Sequence, residues 1–192
     1  MHGDSLFIKY FNRLNGIDGN VVEVGSTRDA GSTYKIALLC KENNNHFITI
    51  DPCENSNKDA KNVINKIDKS FEAILSKGEV YLKSYHKKPI IGAYLDGFDI
   101  VTGQPHKQST INFYKSIGID LLKDGNRISA EVHLQATKYI LKNTGETLLI
   151  GFDDTWCENQ TWKGKGATAV PHLIKNKFTV LESSPNGVIL IN

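Results

Sequence analysis

The chain has 192 residues, 40% hydrophobic and 23% charged, with a formal charge of +2 and a pI near 8.3. Those values suit one ordinary globular domain over residues 1–192 and exclude a disordered chain, a fibre or a membrane-spanning bundle. The positive balance is too weak, and the lysines too scattered outside residues 86–88 and 162–165, to point to nucleic acid.

In chain order, "FIKYFNRL" (7–14) reads as an opening helix ended by "NGIDGN", and "VVEVGS" (21–26) as a first strand. "STYKIALLCKE" (32–42) is a helix, and "HFITIDP" (46–52) a second strand stopped by Pro52. Apolar residues Val63, Ile64, Ile67, Phe71, Ile74 and Leu75 recur at helical spacing and predict one long helix over 58–77. "EVYLKS" (79–84) then reads as the third strand and "IIGAYLDG" (90–97) as the fourth. Residues 98–127 carry a short helix around "INFYKSI", and 128–143 a longer one. "ETLLIGFDD" (146–154) is the fifth strand. A last helix around Pro171 precedes two strands joined at Pro185-Asn186-Gly187, a hairpin that reverses the final strand. The alternation predicts an α/β fold: a doubly wound, Rossmann-like sheet, mostly parallel, with an antiparallel C-terminal hairpin strand.

Three cysteines, Cys40, Cys53 and Cys157, with no C-x-x-C spacing, argue against a disulfide framework or a structural zinc. The start "MHGDSLFIKYFNR" lacks the apolar centre of a signal peptide, and no stretch reaches the length of a membrane span. The expectation is a cytoplasmic protein without membrane contact, as a monomer or a homo-oligomer.

Ligands of such sheets bind beyond the carboxyl ends of the strands. Four of those ends carry acids: Glu23, Asp51, Asp96, and the pair Asp153 and Asp154. A carboxylate inside an apolar strand costs several kcal/mol unless it is paired, so Glu23 is either at an exposed edge or turned to a purpose. A dinucleotide fingerprint would need glycines where Thr27 and Ala30 stand, which disfavours NAD and FAD and with them a dehydrogenase.

"VVEVGSTRDAGST" resembles the first motif of class I S-adenosylmethionine-dependent methyltransferases, closest to the subset with "GST" opening the first helix. "ITID", "AYLDGFD", "IGFDDTW" and the terminal hairpin extend the resemblance over most of the chain; Thr27 replaces the commoner second glycine. The resemblance implies that Glu23 and Gly25 shape the pocket for the methionine part of S-adenosylmethionine. It implies that the backbone of Ser26 and the following helix face its carboxylate, that Asp51 accepts from the ribose hydroxyls, and that Ser84 touches adenine. Arg28 is read as an exposed loop residue rather than a carboxylate clamp.

Methyl transfer to oxygen needs alignment and removal of a proton. Asp96, Asp153 and Asp154 are hard oxygen ligands at adjacent strand ends, as in metal-dependent O-methyltransferases, and would suit Mg2+. Without a metal, Asp96 would lie beside the cofactor and the pair would cap the following loop. His133 is the alternative base, weighed against an ordinary helix-surface histidine. Trp156 and Trp162 either wall an acceptor pocket or pack the loop onto the sheet. The expected activity is O-methylation of a small molecule or sugar, catalysed by Asp96, His133 and Asp153. The rival is a member of the same fold that binds the cofactor and acts as a partner protein without transferring methyl.

Overall fold

The computed structural model describes residues 2–26, 31–101 and 106–192, so Arg28, Thr27 and most of "TGQPHKQ" lie outside the described residues. In chain order the elements are α1 (Gly3–Tyr10), β1 (Asn20–Val24), α2 (Ser32–Glu42), β2 (His46–Asp51), α3 (Glu54–Ile64), β3 (Glu72–Leu75), α4 (Gly78–Lys83) and β4 (Ile90–Leu95). There follow α5 (Gln108–Ser116), α6 (Leu121–Lys142), β5 (Thr144–Asp153), β6 (Thr155–Glu158), β7 (Thr161–Gly164), α7 (Ala169–Lys175), β8 (Thr179–Ser184) and β9 (Gly187–Ile191).

Seven strands form one sheet in the order β3-β2-β1-β4-β5-β9-β8, and β6 and β7 form a separate hairpin. β3, β2, β1, β4 and β5 are parallel, while β9 runs antiparallel to both β5 and β8. The expected doubly wound sheet with a reversed C-terminal strand is what forms. The central strands are buried on both faces, as parallel strands covered by helices must be. Successive side chains of β1 therefore enter two different cores. Val22 and Val24 pack with Leu82, Ala136 and Leu173, whereas Val21 packs with Leu6, Phe7, Ile36 and Ile64.

Two elements differ from the sequence expectation. The predicted 58–77 helix is α3 followed by β3, because Asp68 interrupts it: its Oδ1 accepts from Ser70 N at 2.9 Å and Ser70 Oγ at 2.7 Å, closing a turn. The predicted third strand at 79–84 is α4, which starts at Gly78, where a side chain would strike Val24 Cγ1 at 2.4 Å. The β6–β7 hairpin was not anticipated. Its turn uses Asn159 and Gln160 with φ of 48° and 62°, a left-handed pair usually signalled by Asn-Gly. None of the described helices is long and apolar enough to cross a membrane.

Candidate active site at the carboxyl ends of the central strands

A cavity of about 590 Å3 opens where β1, β2, β3 and β4 end, roofed by α5 and α6. That size suits a small organic ligand. Its floor is Val24, over which Gly78 and Gly97 pass so closely that a Cβ at either would lie 2.4 or 2.7 Å from Val24 Cγ1. Gly25 turns the chain out of β1 with φ +92°, and a Cβ there would meet the Asp96 backbone at 2.6 Å. Both facts demand glycine at this position.

Glu23 sits beneath that turn, fully buried. Ser32 Oγ donates to its Oε1 at 2.6 Å, and Thr33 and Thr49 Oγ1 each donate to Oε2 at 2.7 Å. The "GST" that opens α2 thus supplies two of the three hydroxyls that satisfy a carboxyl inside a strand. Burial nevertheless raises the group to about 7, the hydroxyls pulling the other way. Glu23 lies outside the cavity wall and holds the turn above it.

Asp51, 8% exposed, reaches the cavity from the end of β2. Ser26 N donates to its Oδ2 at 2.9 Å and Cys53 N to its Oδ1 at 2.7 Å, so its orientation is fixed by backbone on both sides. Ser26 lines the cavity as well, its N–H facing Asp51 and its Oγ paired with Thr49 Oγ1 at 2.8 Å. Ser84, expected to touch adenine, does not line the cavity. It ends α4, bonds Tyr81 O at 3.2 Å and lies away from the cavity, while Lys77, Gly78 and Glu79 form the wall after β3.

Asp96 lines the cavity; Asp153 and Asp154 lie behind it. One carboxyl oxygen from each comes within 4.8 Å of the others, as the strand-end positions implied. What the sequence reading missed is Lys165. Its side chain is 4% exposed, and its Nζ bonds Asp96 Oδ1 and stands 3.0 Å from Asp154 Oδ2. Burial alone would lower the Lys165 ammonium, but the carboxylates of Asp96 and Asp154 outweigh it and hold the group above its ordinary range. Burial raises Asp96 to about 6 despite the ammonium, and raises Asp153 as well. Asp153 is occupied elsewhere: its Oδ1 accepts from Gly3 N at 2.7 Å, at the start of α1, and so caps that helix.

His133 is 2% exposed, absent from the cavity wall and bonded through Nδ1 to Ser129 O at 2.7 Å. Burial first, then the Lys165 charge, lowers it to about 4. This placement does not present it to the cavity, and so lends no support to its reading as a base. The wall opposite Asp51 is aromatic. Phe98 and Tyr114 lie 4.7 Å apart between ring centres, Phe113 is 5.5 Å from Tyr114, and Tyr114 OH accepts from Asp99 N at 2.8 Å. Neither Trp156 nor Trp162 lines the cavity; Trp162 packs against the core under α6.

The reversed strand, the acid beneath the glycine turn and the pinned Asp51 together define the fold of class I S-adenosylmethionine-dependent methyltransferases. No family model and no curated protein matches the sequence. Solved structures do match over the whole chain. An rRNA methylase from Streptococcus thermophilus superposes with TM-score 0.57 at 14% identity, covering 100% of this chain and 95% of that one. A protein assigned as an rRNA methylase from Clostridium thermocellum gives 0.63 at 13%, covering 100% and 97%. A protein assigned as a methyltransferase from Streptococcus mutans, in complex with SAH, gives 0.58 at 14%, covering 100% and 97%. At these identities the likeness is one of fold. The two rRNA methylases overturn the expectation of a small-molecule or sugar acceptor with nucleic acid excluded. The exclusion of nucleic acid rested on the weak net charge and scattered lysines, which do not describe the local surface around a cavity, and the small acceptor on the likeness of the strand-end acids to metal-dependent O-methyltransferases.

Proposed function

We propose that the chain is an S-adenosylmethionine-dependent methyltransferase whose acceptor is a base in RNA. The observation that carries the reading is Asp51, a carboxylate held at the cavity wall by two backbone N–H groups, where two vicinal hydroxyls of a ribose can donate to it. S-adenosylmethionine, when bound, supplies a methyl group on positively charged sulfur. Gly25 and Gly97 let the chain approach that ligand closely, and Lys77 to Glu79 flank the side expected for adenine. The carboxyls of Asp96 and Asp154 against one ammonium leave the region beneath the cavity negative, which favours a sulfonium.

Transfer from sulfonium is an in-line displacement, so the chain's work is alignment. Phe98, Phe113 and Tyr114 offer flat faces on which a nucleobase can stack, the mode by which proteins hold single-stranded RNA. The rRNA-methylase neighbours support the same class of acceptor. Asp96, raised to about 6, lines the cavity and is suited to take a proton from the acceptor near neutral pH. The test is incubation with methyl-tritiated S-adenosylmethionine and unmodified ribosomal RNA. Label in RNA supports the proposal. Cofactor binding without label in any RNA favours the non-catalytic partner reading.

A further inference from the structure

The acids Asp96, Asp153 and Asp154 have the chemistry of a magnesium site, yet the fold fills that site from within. The chain leaves β5 at Asp154, runs out and back along β6 and β7, and returns Lys165 to the point of departure. Lys165 N donates to Asp154 O at 3.1 Å, and Gly166 N to Thr155 Oγ1 at 2.8 Å. Gly164 takes φ +79° there, with Asp154 O only 1.8 Å from where its Cβ would be. So close a return fixes the lysine backbone, and the side chain then extends between Asp96 and Asp154, with Asp96 O a further 3.5 Å from Nζ.

We infer that Lys165 is the tethered cation of this site: its ammonium takes the place a divalent ion would hold and keeps Asp96 oriented along the cavity wall. Mg2+ requires near-octahedral oxygen coordination at about 2.0–2.1 Å. Here Asp153 is turned to the α1 N-terminus, and the other two carboxyls already close on the ammonium. A divalent ion entering beside Nζ would also face a full unit charge at contact range. The residues present therefore do not fit a bound metal, and no catalytic step runs through one. The role toward Asp96 rests on the methyltransferase reading; the cation assignment does not.

The experiment is Mn2+ titration followed by the free-ion paramagnetic resonance signal, without cofactor, on the wild type, Asp154→Asn, Lys165→Ala, and Lys165→Ala combined with Asp154→Asn. The wild type is expected to leave the Mn2+ signal as in buffer. Lys165→Ala, shown folded by circular dichroism, should bind Mn2+ at least about a hundredfold more tightly than the wild type, because a unit positive charge about 4 Å away is gone. The double variant should lose that binding. Mn2+ binding by the wild type that Asp154→Asn abolishes would overturn the assignment, and this arm holds even if Lys165→Ala does not fold. A folded Lys165→Ala that gains no Mn2+ would overturn it equally. Titration of S-adenosylmethionine in chelator is run separately: its failure would count against the methyltransferase reading and leave the cation assignment standing.

Discussion

Glu23→Gln removes a buried titration from the centre of the sheet. Burial lifts the Glu23 carboxyl from 4.5 to about 7 against three hydroxyl donors. Its folded pKa thus exceeds its unfolded one, so between those values the folded chain holds a proton that the unfolded chain has released. The stability this represents is complete below about pH 4.5 and is lost as the pH rises through about 7. At about 1.4 kcal/mol per pH unit, Glu23 contributes a loss of about 3 kcal/mol across the window. Asp96, also raised by burial, adds a loss of the same sign, but it is present in both proteins. The difference between wild type and variant therefore reports Glu23 together with its coupling to Asp96, whose charge also raises it. A carboxamide keeps the size of the group, and the hydroxyls of Ser32, Thr33 and Thr49 can turn to meet it, which gives an offset independent of pH. Urea unfolding, followed by tryptophan fluorescence from about pH 5 to pH 8, should show wild-type stability falling more steeply than that of Glu23→Gln. Parallel curves would mean that Glu23 titrates as an ordinary carboxylate, and the account of its cage would be wrong.

Gly25→Ala should destabilise the chain by about 2–5 kcal/mol, combining a left-handed backbone with overlap on the Asp96 main chain; calorimetric melting measures it, and a loss below about 1 kcal/mol would show that the turn can relax. Asp153→Ala should cost about 1 kcal/mol through loss of the α1 cap while leaving cofactor affinity unchanged. A large fall in affinity in the same titration would return Asp153 to the site. Lys165→Met should cost about 3–5 kcal/mol in urea unfolding, since it strands the Asp96 carboxylate in a buried setting; a neutral result would mean that the pair contributes little.

The fold was legible because its central strands are apolar runs that end in acids and turns. β1, β2, β4 and β5 all fell close to their predicted places, and the Pro185-Asn186-Gly187 turn marked the reversed strand. β3 was hidden because Phe71, Ile74 and Leu75 continue the apolar spacing of α3, and only Asp68 and Ser70 signal the break. Misplacing β3 misplaced the cavity wall that follows it, Lys77 to Glu79, and Ser84 with it. That Gly25, Asp51 and Asp96 line the cavity could be read from position on their strands, because a strand end fixes a residue at the sheet's carboxyl edge, whereas Glu23, one residue deeper, lies beneath it. Lys165 could not. It reaches Asp96 across 69 positions through a hairpin whose Asn-Gln turn gave no strong signal, and its partners are set by that return alone. His133 failed for a related reason. Helical periodicity places it on the inner face of α6, but cannot say whether that face meets the cavity or the layer behind it.

The central claim is tested most directly by calorimetric titration of S-adenosylmethionine into the wild type and Asp51→Ala. The account predicts saturable binding by the wild type, weakened about a hundredfold in the variant by the loss of two charge-assisted hydrogen bonds to ribose. No binding by a folded wild type, or equal binding by a folded Asp51→Ala, would contradict it.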